Sequence, residues 1–438
     1  MSPTPKSAKV RGRLEILALF GGSALFAIAG IVVALQFVQP APPSHIRIAT
    51  GNADGAYYRY AERYRAILAR NGIELDLVET AGSVDNLKRL LTEDNPVQLA
   101  LVQGGVASEA QREQLAGLGS LFYEPLWLLV SSGTDARTLN TLAGARIAIG
   151  PADSGTRALA ERLLAANGID DANADLVSED TETSALRLAN GELDLVFVVG
   201  ATDLPLLREL ALADRIGLAD LPRAAAYARR DRSLTALDLP QGALDLQHDL
   251  PATDLNLIAA TANLVARQDL HPALINLIIA AAREVHGKGG LLAAPGTFPT
   301  PLHSDFLLNA DAKRFYKSGP PLLQRWLPFW VATWIDRTKV MLVPLVALLI
   351  PLSKVLPPAY RWRIRRRILR WYKELRTIDM ELETSELGAE RLAQLRRDLD
   401  HIETDAAQVE VPLGYSDQLY ELRSHIALVQ RKLGSLIP

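Results

Sequence analysis

Two glycine-containing turns in the sequence have the composition of a site for a small anion. They lie at residues 50–58 (TGNADGAYY) and 149–157 (IGPADSGTR), and each follows a short apolar run and precedes a helical pattern. Glycine lets the backbone approach a ligand closely, and the first free N–H groups of a helix carry partial positive charge. Since loops at the carboxyl ends of parallel strands share one edge of a sheet, we expect the two turns to face each other across a gap and to clamp a carboxylate or another anion.

Polar side chains accompany both turns, and they suit hydrogen bonding to a small solute rather than covalent chemistry. Two tyrosines close the first turn, a serine and an asparagine lie one helical turn apart at the next predicted helix start, and a serine and a threonine flank the second glycine. These residues are Tyr57, Tyr58, Ser83, Asn86, Ser154 and Thr156. The ordinary alternative is that Ser83 only caps a helix and that Gly55 and Gly155 only make turns.

Composition and motifs exclude most enzymatic and nucleic-acid-binding classes. The chain has no cysteine and seven scattered histidines, which argues against thiolate catalysis and against a metal site. It has no GxxxxGK[ST] phosphate loop and no complete dinucleotide fingerprint, and Ser154 lies in ADSGT rather than in GxSxG. A formal charge of −3 argues against nucleic-acid binding by the whole chain. We therefore expect a non-catalytic binding protein with no cofactor and no metal.

Strand and helix patterns alternate from residue 45 onwards, which predicts an α/β fold with parallel strands. A strand, a glycine turn, a helix and an Asn-Gly-Ile stop occur twice, and the two stops are residues 71–73 and 167–169. The repeat predicts two similar α/β units rather than one long sheet. Strands are predicted at residues 45–50, 75–80, 98–103, 123–131, 146–150, 195–200 and 255–266.

An apolar segment near the start of the chain predicts a membrane anchor. Residues 16–38 carry no charge, and a helix of this length crosses a bilayer; the segment 1–15 before it contains basic residues. A cleavable signal peptide is the alternative, but its apolar core would be only about 7–15 residues long. We therefore expect an uncleaved first transmembrane helix at residues 16–38.

A second apolar segment, residues 340–358, predicts a second transmembrane helix. Prolines and Lys354 interrupt it, so a tilted interfacial helix and a buried hairpin are the alternatives. An arginine-rich run follows and predicts contact with anionic lipid at the membrane surface, although a solvated helix face or an RNA-binding patch has the same composition. Its arginines are Arg361, Arg363, Arg365, Arg366, Arg367 and Arg370.

The basic flanks of both apolar segments predict a sided arrangement in a bacterial inner membrane. Such flanks stay in the cytoplasm, so both chain termini are expected there and residues 39–335 are expected in the periplasm. Residues 39–44 would form a proline-rich spacer, and residues 316–339 would form the linker before the second span.

Apolar residues recur at heptad spacing in residues 359–438, which predicts a cytoplasmic α-helical region of hairpin or coiled-coil type. Packing of these stripes on each other is the simpler interpretation, and a partner or homo-oligomer interface is the alternative. The stripe residues are Ile364, Ile368, Trp371, Leu375, Ile378, Leu382, then Leu392, Leu395, Leu399, Ile402, Ala406, Val409, then Leu419, Leu422, Ile426, Val429 and Leu433.

Four short motifs in order resemble the TAXI family of extracytoplasmic solute receptors, which serve TRAP-type transporters. The family patterns G-x-x-x-G-x-Y-Y and G-S-x-x-N-L are similar to residues 51–58 and 82–87. The patterns G-x-x-x-S-G-T and G-x-x-D-x-x-F-x-V-G are similar to residues 150–156 and 191–200. Each motif alone is weak, whereas four in this order are fairly specific.

The resemblance implies a two-lobed periplasmic-binding-protein fold of type II over residues 45–315. Lobe 1 would comprise about 45–129 and 235–315, and lobe 2 about 130–234. The lobes would close on a small carboxylated solute, an amino acid or a dicarboxylate, and a TRAP permease would be the partner. The ligand-binding residues implied are Gly51, Asp54, Gly55, Tyr57, Ser83, Asn86, Gln103, Gly150, Ser154, Gly155, Thr156, Val199 and Gly200.

The chain departs from the family pattern at two places. Asp54 stands where the family usually has glycine, and it would either repel an anion or attract an ammonium group. Residues 241–244 lack a tyrosine that is often found there. We expect a membrane-tethered solute-binding receptor; a membrane-anchored sensor or scaffold that acts through the helical tail is the alternative, and an enzyme is a distant third.

Overall fold

The computed structural model describes residues 28–29, 32, 40–131, 134, 136–201, 216–384, 387–407 and 416–436. The chain divides into two compact units. One unit is Pro40–Ile335, and the other contains the described helical residues from Asp336 onwards. The first unit is an α/β structure with two lobes, each with its own hydrophobic core on one part of a mixed sheet.

Lobe 1 begins with three parallel strands, and most of their apolar side chains are buried. Strand β1 lies between β2 and β3, and Ile48 on β1 pairs with Leu77 and Leu99 on its neighbours. The strands are β1 (His45–Ala49), β2 (Glu74–Val78) and β3 (Leu99–Gln103), and the helices that follow them are α1 (Ala56–Ala69), α2 (Ser83–Leu91) and α3 (Glu109–Gln114).

Strand β4 (Leu115–Ser131) carries the chain from lobe 1 into lobe 2, which repeats the parallel pattern. There β5 lies between β6 and β7, and β7 pairs antiparallel with Leu126–Val130 of β4. The strands of this lobe are β5 (Arg146–Ala148), β6 (Asp175–Val177), β7 (Leu195–Val199), β8 (Ile216–Leu218) and β9 (Thr235–Leu239), and its helices are α4 (Gly155–Ala166), α5 (Thr181–Ala189) and α6 (Ala224–Arg230).

Strand β10 (Leu255–Arg267) returns the chain to lobe 1 and runs antiparallel to β4. Its first residues pair with β9, and its last residues pair with β3. Helices α7 (Pro272–His286) and α8 (Ala310–Ser318) then complete the core of lobe 1. Two adjacent strands, β4 and β10, therefore join the lobes.

The return to lobe 1 lies later in the chain than the predicted position near 235. Leu255, Leu257 and Ala260 pack in the core of lobe 2, whereas Ala262 is the first β10 residue in the core of lobe 1. The reason is that β9 and the first half of β10 form an antiparallel pair on the lobe 2 side.

The helical tail has a hydrophobic core of its own. Helix α9 (Phe329–Thr384) is followed by α10 (Ala389–Ala407) and α11 (Ser416–Leu436). The prediction that the stripes pack on each other is confirmed for most of their residues, while the side chains of Ile364 and Ile368, and residue Val409, lie outside the described part. The buried stripe residues are Trp371, Leu375, Ile378, Leu382, Leu392, Leu395, Leu399, Ile402, Ala406, Leu422, Ile426, Val429 and Leu433.

Within the described residues, no helix is both long enough and apolar enough to cross a membrane. The predicted span 16–38 lies almost entirely outside those residues, and the predicted span 340–358 lies within α9. The arginine side chains from Arg361 to Arg367, on which lipid contact depends, also lie outside the described part of the chain. Arg370 is exposed, and its Cζ lies 4.5 Å from the centroid of the Trp371 ring. Both spans and the lipid contact therefore stay predictions.

Candidate functional site

The first glycine turn, residues 50–55, joins β1 to the start of α1. Gly51 has a φ of +154°, which residues with a side chain rarely adopt. Gly55 precedes the helix, and its N–H donates to a carbonyl of the turn at 2.9 Å. The turn places Tyr57 in the interior of lobe 1 and leaves Asp54 exposed to solvent.

A buried hydrogen bond joins Tyr57 to Glu124 on β4. The Tyr57 hydroxyl donates to Oε2 of Glu124 at 2.7 Å. Only 5% of Glu124 is exposed, and burial raises its pKa to about 7 although the hydrogen bond from Tyr57 acts in the opposite direction. Sequence reasoning missed Glu124, because the run YEPLWLLV was interpreted only as a strand; a charge within a buried strand is the signal that marks it.

Ser83, Asn86 and Gln103 form the edge of lobe 1 beside this turn. Oγ of Ser83 accepts the N–H of Gln103 at 2.9 Å, so Ser83 holds β3 instead of capping its own helix. The Asn86 amide donates to the carbonyls of Thr50 and Leu101 at 2.8 and 2.7 Å, and its oxygen accepts a threonine hydroxyl at 2.6 Å. These hydrogen bonds show that Asn86 positions the turn, and its role as a ligand contact stays a prediction.

Ser154 and Thr156 of the second turn form hydrogen bonds within lobe 2. Oγ of Ser154 caps α4 by accepting the N–H of Arg157 at 3.1 Å, and it donates to the carbonyl of Pro151 at 2.6 Å. Oγ1 of Thr156 accepts the N–H of Val199 at 3.4 Å. These bonds fix the second turn against the ends of β5 and β7.

Gly150 and Gly200 lie just after those strand ends. Gly150 has a φ of +89°, and a Cβ there would lie 2.9 Å from the side chain of Thr156. The N–H of Gly200 donates to Pro125 at 3.3 Å, and its carbonyl accepts the indole N–H of Trp127 at 3.1 Å. Both glycines therefore serve the packing of lobe 2 around the predicted site.

The two glycine turns come together where the lobes touch, and we call this contact the seam. The side-chain amide of Gln103 donates to the carbonyl of Gly155 at 3.1 Å. The N–H of Val84 donates to the carbonyl of Asp153 at 3.2 Å, and Lys88 pairs with the Asp153 carboxylate at 2.9 Å. The seam consists of Gly82, Val84, Lys88 and Gln103 from lobe 1 and residues 153–155 from lobe 2.

Glycines permit this close approach. A Cβ at Gly155 would lie 2.4 Å from Oε1 of Gln103, and a Cβ at Gly82 would lie 3.2 Å from Cα of Ser154. The starts of α2 and α4 are thus in direct contact. This corrects the expectation of a gap between the turns, because the Val84 N–H that would face an anion is bonded across the seam.

A second contact between the lobes involves Arg162 on α4. Its Nη1 donates to the carbonyl of Gly105 at 2.6 Å, and its Nε lies 3.2 Å from Oδ2 of Asp231 in lobe 2. The N–H of Gly105 donates in turn to the carboxylate of Asp305, whose pKa is raised by burial. Arg162 therefore ties lobe 2 to the loop after β3, and no sequence motif marks it.

An aromatic cluster lies beneath the first turn and contains a buried histidine. The ring of Phe122 stacks on His286 at 5.3 Å, and the Tyr64 hydroxyl shares a 2.5 Å hydrogen bond with Nε2 of His286. Burial lowers the pKa of His286 to about 3, so the ring is neutral at physiological pH. His286 is therefore part of the core.

Among the described residues, one group brings metal-ligating side chains together. It consists of His45, Glu74 and Asp76, which lie at the edge of the lobe 1 sheet, away from the seam. Nδ1 of His45 lies 3.3 Å from Glu74, and Arg47 pairs with Asp76 at 3.2 Å. This is an ordinary arrangement for exposed charges that pair with each other.

Comparison with known proteins gives a family match and similar solved structures. The sequence pattern of the NMT1-like family matches residues 48–286. The chain is similar to the alkanesulfonate-binding protein SsuA from Xanthomonas axonopodis pv. citri, at 17% identity over 57% of this chain and 75% of that one, with a TM-score of 0.39. It is also similar to the periplasmic aliphatic sulphonate binding protein SsuA from Escherichia coli, at 14% identity over 72% and 94%, with a TM-score of 0.38.

Proposed function

Because the chain belongs to the NMT1-like family and has the two-lobed α/β fold of periplasmic binding proteins, we propose that residues 40–335 form a solute-binding receptor whose lobes close on a small polar solute. The observation that carries this proposal is the seam, where both lobes contribute polar groups in contact with each other. Two strands that join two lobes act as a hinge, and a polar contact between the lobes permits opening and closing. A solute that binds the closed state better than the open state stabilises closure.

The groups around the seam indicate the chemistry of the solute. Tyr57 and Ser83 from lobe 1 and Thr156 from lobe 2 offer hydroxyl groups close to where the lobes meet. The start of α4 carries partial positive charge that favours a carboxylate. A small organic acid or amino acid fits this combination best.

We infer no catalytic role for these groups. Ser83 and Ser154 hold backbone groups in place, and His286 is buried among aromatic rings. No hydrogen bond within the described residues joins a serine or threonine hydroxyl to a histidine ring, as activation of a nucleophile would require.

The finer assignment follows from the sequence resemblance. We propose that the chain is a TAXI-type receptor that delivers its solute to a TRAP permease. Residues 16–38 and 340–358 would hold it at a bacterial inner membrane, with the binding domain in the periplasm. The order of the four motifs supports the receptor type, and the basic flanks of both apolar segments support the membrane topology. Co-purification of a large polytopic permease with the full chain tests the partner, and co-purification of a different permease type contradicts it.

The binding proposal is tested with the full chain in detergent and a variant that blocks the seam. Gly155→Ala places a Cβ against Gln103 without straining α4, because Gly155 is a helical residue outside the left-handed region. Gly217→Ala in β8 is the matched control, since its nearest non-neighbouring atom would be 3.4 Å away. Organic acids and amino acids should raise the melting temperature of the wild type and of Gly217→Ala, and they should raise that of Gly155→Ala much less.

Two outcomes of this experiment contradict the proposal. If no solute stabilises any of the three proteins, residues 40–335 are not a receptor for this class of solute. If Gly155→Ala responds as strongly as the wild type, closure at the seam is not coupled to binding.

A second candidate function is a membrane-anchored sensor or scaffold. The hydrophobic core shared by α9, α10 and α11 favours it, because a tail that served only as an anchor would not need a folded core. Deleting residues 374–438 distinguishes the two functions. Loss of uptake with intact solute binding favours coupling to a transporter, whereas unchanged uptake with lost signalling favours sensing.

A further inference from the structure

Glu124 places a carboxyl group where the chain passes from one lobe to the other. On β4 it pairs with Ala260 of β10, and the residues from Leu126 onwards pair with β7 of lobe 2. The residue is 5% exposed, and its Oε2 accepts the Tyr57 hydroxyl. The carboxyl group therefore lies between the hinge strands and the start of α1.

No positive charge neutralises this carboxyl group within the part of the chain that the structure describes. Other partly buried carboxylates have cationic partners: Asp194 pairs with Arg146 at 2.8 Å, and Asp85 pairs with Arg89 at 3.1 Å. For Glu124, burial raises the pKa, and only the hydrogen bond from Tyr57 opposes this effect. Burial of a carboxylate without a cation is costly, and such groups are concentrated at functional sites.

Glu124 is connected to the seam through side chains that touch each other. The Tyr57 hydroxyl interacts with the side chain of Ser83, which accepts the N–H of Gln103. The Gln103 amide reaches Gly155 in lobe 2. Two side chains, those of Ser83 and Tyr57, therefore lie between Gln103 at the seam and the carboxyl group of Glu124.

A purely structural role does not require a carboxyl group at this position. A glutamine would accept the same hydrogen bond from Tyr57 without placing a charge in the interior. The carboxyl group therefore adds a negative charge that the fold does not need, and it does so on one of the two strands that join the lobes.

We propose that Glu124, oriented by Tyr57, is the subsite that receives a positively charged amine of the solute. The inference rests on the proposed function and narrows it: the solute is an amino acid or another ammonium-bearing molecule, and not a dicarboxylate that lacks an amine. The ammonium group neutralises the buried carboxylate through charge-assisted hydrogen bonds, while the carboxylate of the solute faces the start of α4. Asp54 is exposed on the first glycine turn, three residues before Tyr57, and adds a second negative charge to this part of lobe 1.

The test uses the full chain in detergent and pairs of probes that differ in one ammonium group. The pairs are glutamate and glutarate, aspartate and succinate, and 4-aminobutyrate and butyrate. Isothermal titration calorimetry at neutral pH gives the affinity ratio within each pair. For the wild type we expect the amine-bearing member of at least one pair to bind about tenfold tighter or more, because its ammonium group forms a charge-assisted hydrogen bond with the buried carboxylate.

Variants assign this preference to Glu124. Glu124→Gln should reduce the ratio to about one, and Glu124→Asp should retain part of it since the charge is kept. Tyr57→Phe removes only the orienting hydroxyl group and should lower the ratio less than Glu124→Gln does. Glu62→Gln, on the exposed side of α1 where Glu62 pairs with Arg65, is the matched control and should leave the ratio unchanged.

The outcomes separate this inference from the proposed function. Dicarboxylates that bind as tightly as their aminated partners, or a ratio unchanged in Glu124→Gln, would overturn the inference and leave the receptor function standing. If no member of the panel binds the wild type, the receptor function fails and the inference fails with it.

Discussion

Replacing Glu124 with glutamine tests the buried charge through the pH dependence of stability. The pKa of Glu124 is about 7 in the folded protein, against an ordinary value of 4.5. Between these two values the folded state binds more protons than the unfolded state, so the free energy of unfolding decreases as the pH rises through this window. At a pH above this window the wild type is less stable than it is in acid because Glu124 is charged in the interior. Glu124→Gln has no such charge and should be more stable than the wild type at this pH.

The magnitude follows from the size of the pKa shift. The difference between 7 and 4.5 is about 2.5 units, which corresponds to about 3 kcal/mol. Below pH 4.5 the carboxyl group is protonated in both states, and glutamine has a similar size and polarity. The stability gained by Glu124→Gln should therefore rise from near zero in acid to about 3 kcal/mol at a pH above the folded pKa.

Urea denaturation of the full chain across this pH range measures the effect. Hydrogen exchange of peptides from β4 and β10 reports specifically on the unit that contains Glu124. Other titrating groups such as His286 are present in both proteins and cancel in the difference. Parallel stability profiles would refute the reasoning, and a variant that is less stable than the wild type only at high pH would show that a cation pairs with Glu124.

Three further perturbations have definite expected outcomes. As the pH falls from 6.5 towards 3, the free energy of unfolding of the wild type should decrease by up to about 5 kcal/mol, because His286 becomes protonated more readily in the unfolded state. His286→Gln should lack this decrease in urea denaturation. The same decrease in both proteins would contradict a buried neutral ring. Arg162→Met should separate the lobes in small-angle scattering and weaken solute binding about tenfold, because it removes a charged hydrogen bond between the lobes, whereas Arg157→Met, whose partners Glu161 and Ser178 both lie in lobe 2, should do neither. Leu399→Ala should destabilise the helical tail by about 2–5 kcal/mol in denaturation followed by circular dichroism, and Leu428→Ala at an exposed position should have little effect; equal losses would argue against the observed core.

Most strands of both lobes were predicted from the sequence, because their apolar residues are buried and form short continuous runs. Strands β3, β7 and β10 agree with the predicted ranges to within one residue at each end. The first part of β4 was missed because Gly117 and Gly119 lower the strand propensity. In the structure these glycines make room for Phe306 and Tyr316, which come almost two hundred residues later in the chain.

The sequence predicted that the two glycine turns lie close together, but it did not predict the contacts between them. The two glycine turns do come together, since strand ends gather at one edge of a sheet, but whether a gap separates them depends on the position of the lobes. The hydrogen bonds of Asn86 to the carbonyls of Thr50 and Leu101 were not predicted, because a local pattern does not reveal which backbone carbonyls lie nearby. Arg162 was missed because its partner Gly105 becomes a partner only when the lobes meet.

The pairing of β4 with β10 makes the connection between the lobes a two-stranded antiparallel ribbon. The two strands are hydrogen-bonded to each other from Pro125 and Ala259 to Leu115 and Arg267, and their register is irregular at Ala262–Asn263 and Leu264–Val265. Such bulges concentrate twist in a ribbon that otherwise stays intact. Under the proposed function the lobes separate by twisting and bending of this ribbon, so its stiffness limits how far they move apart.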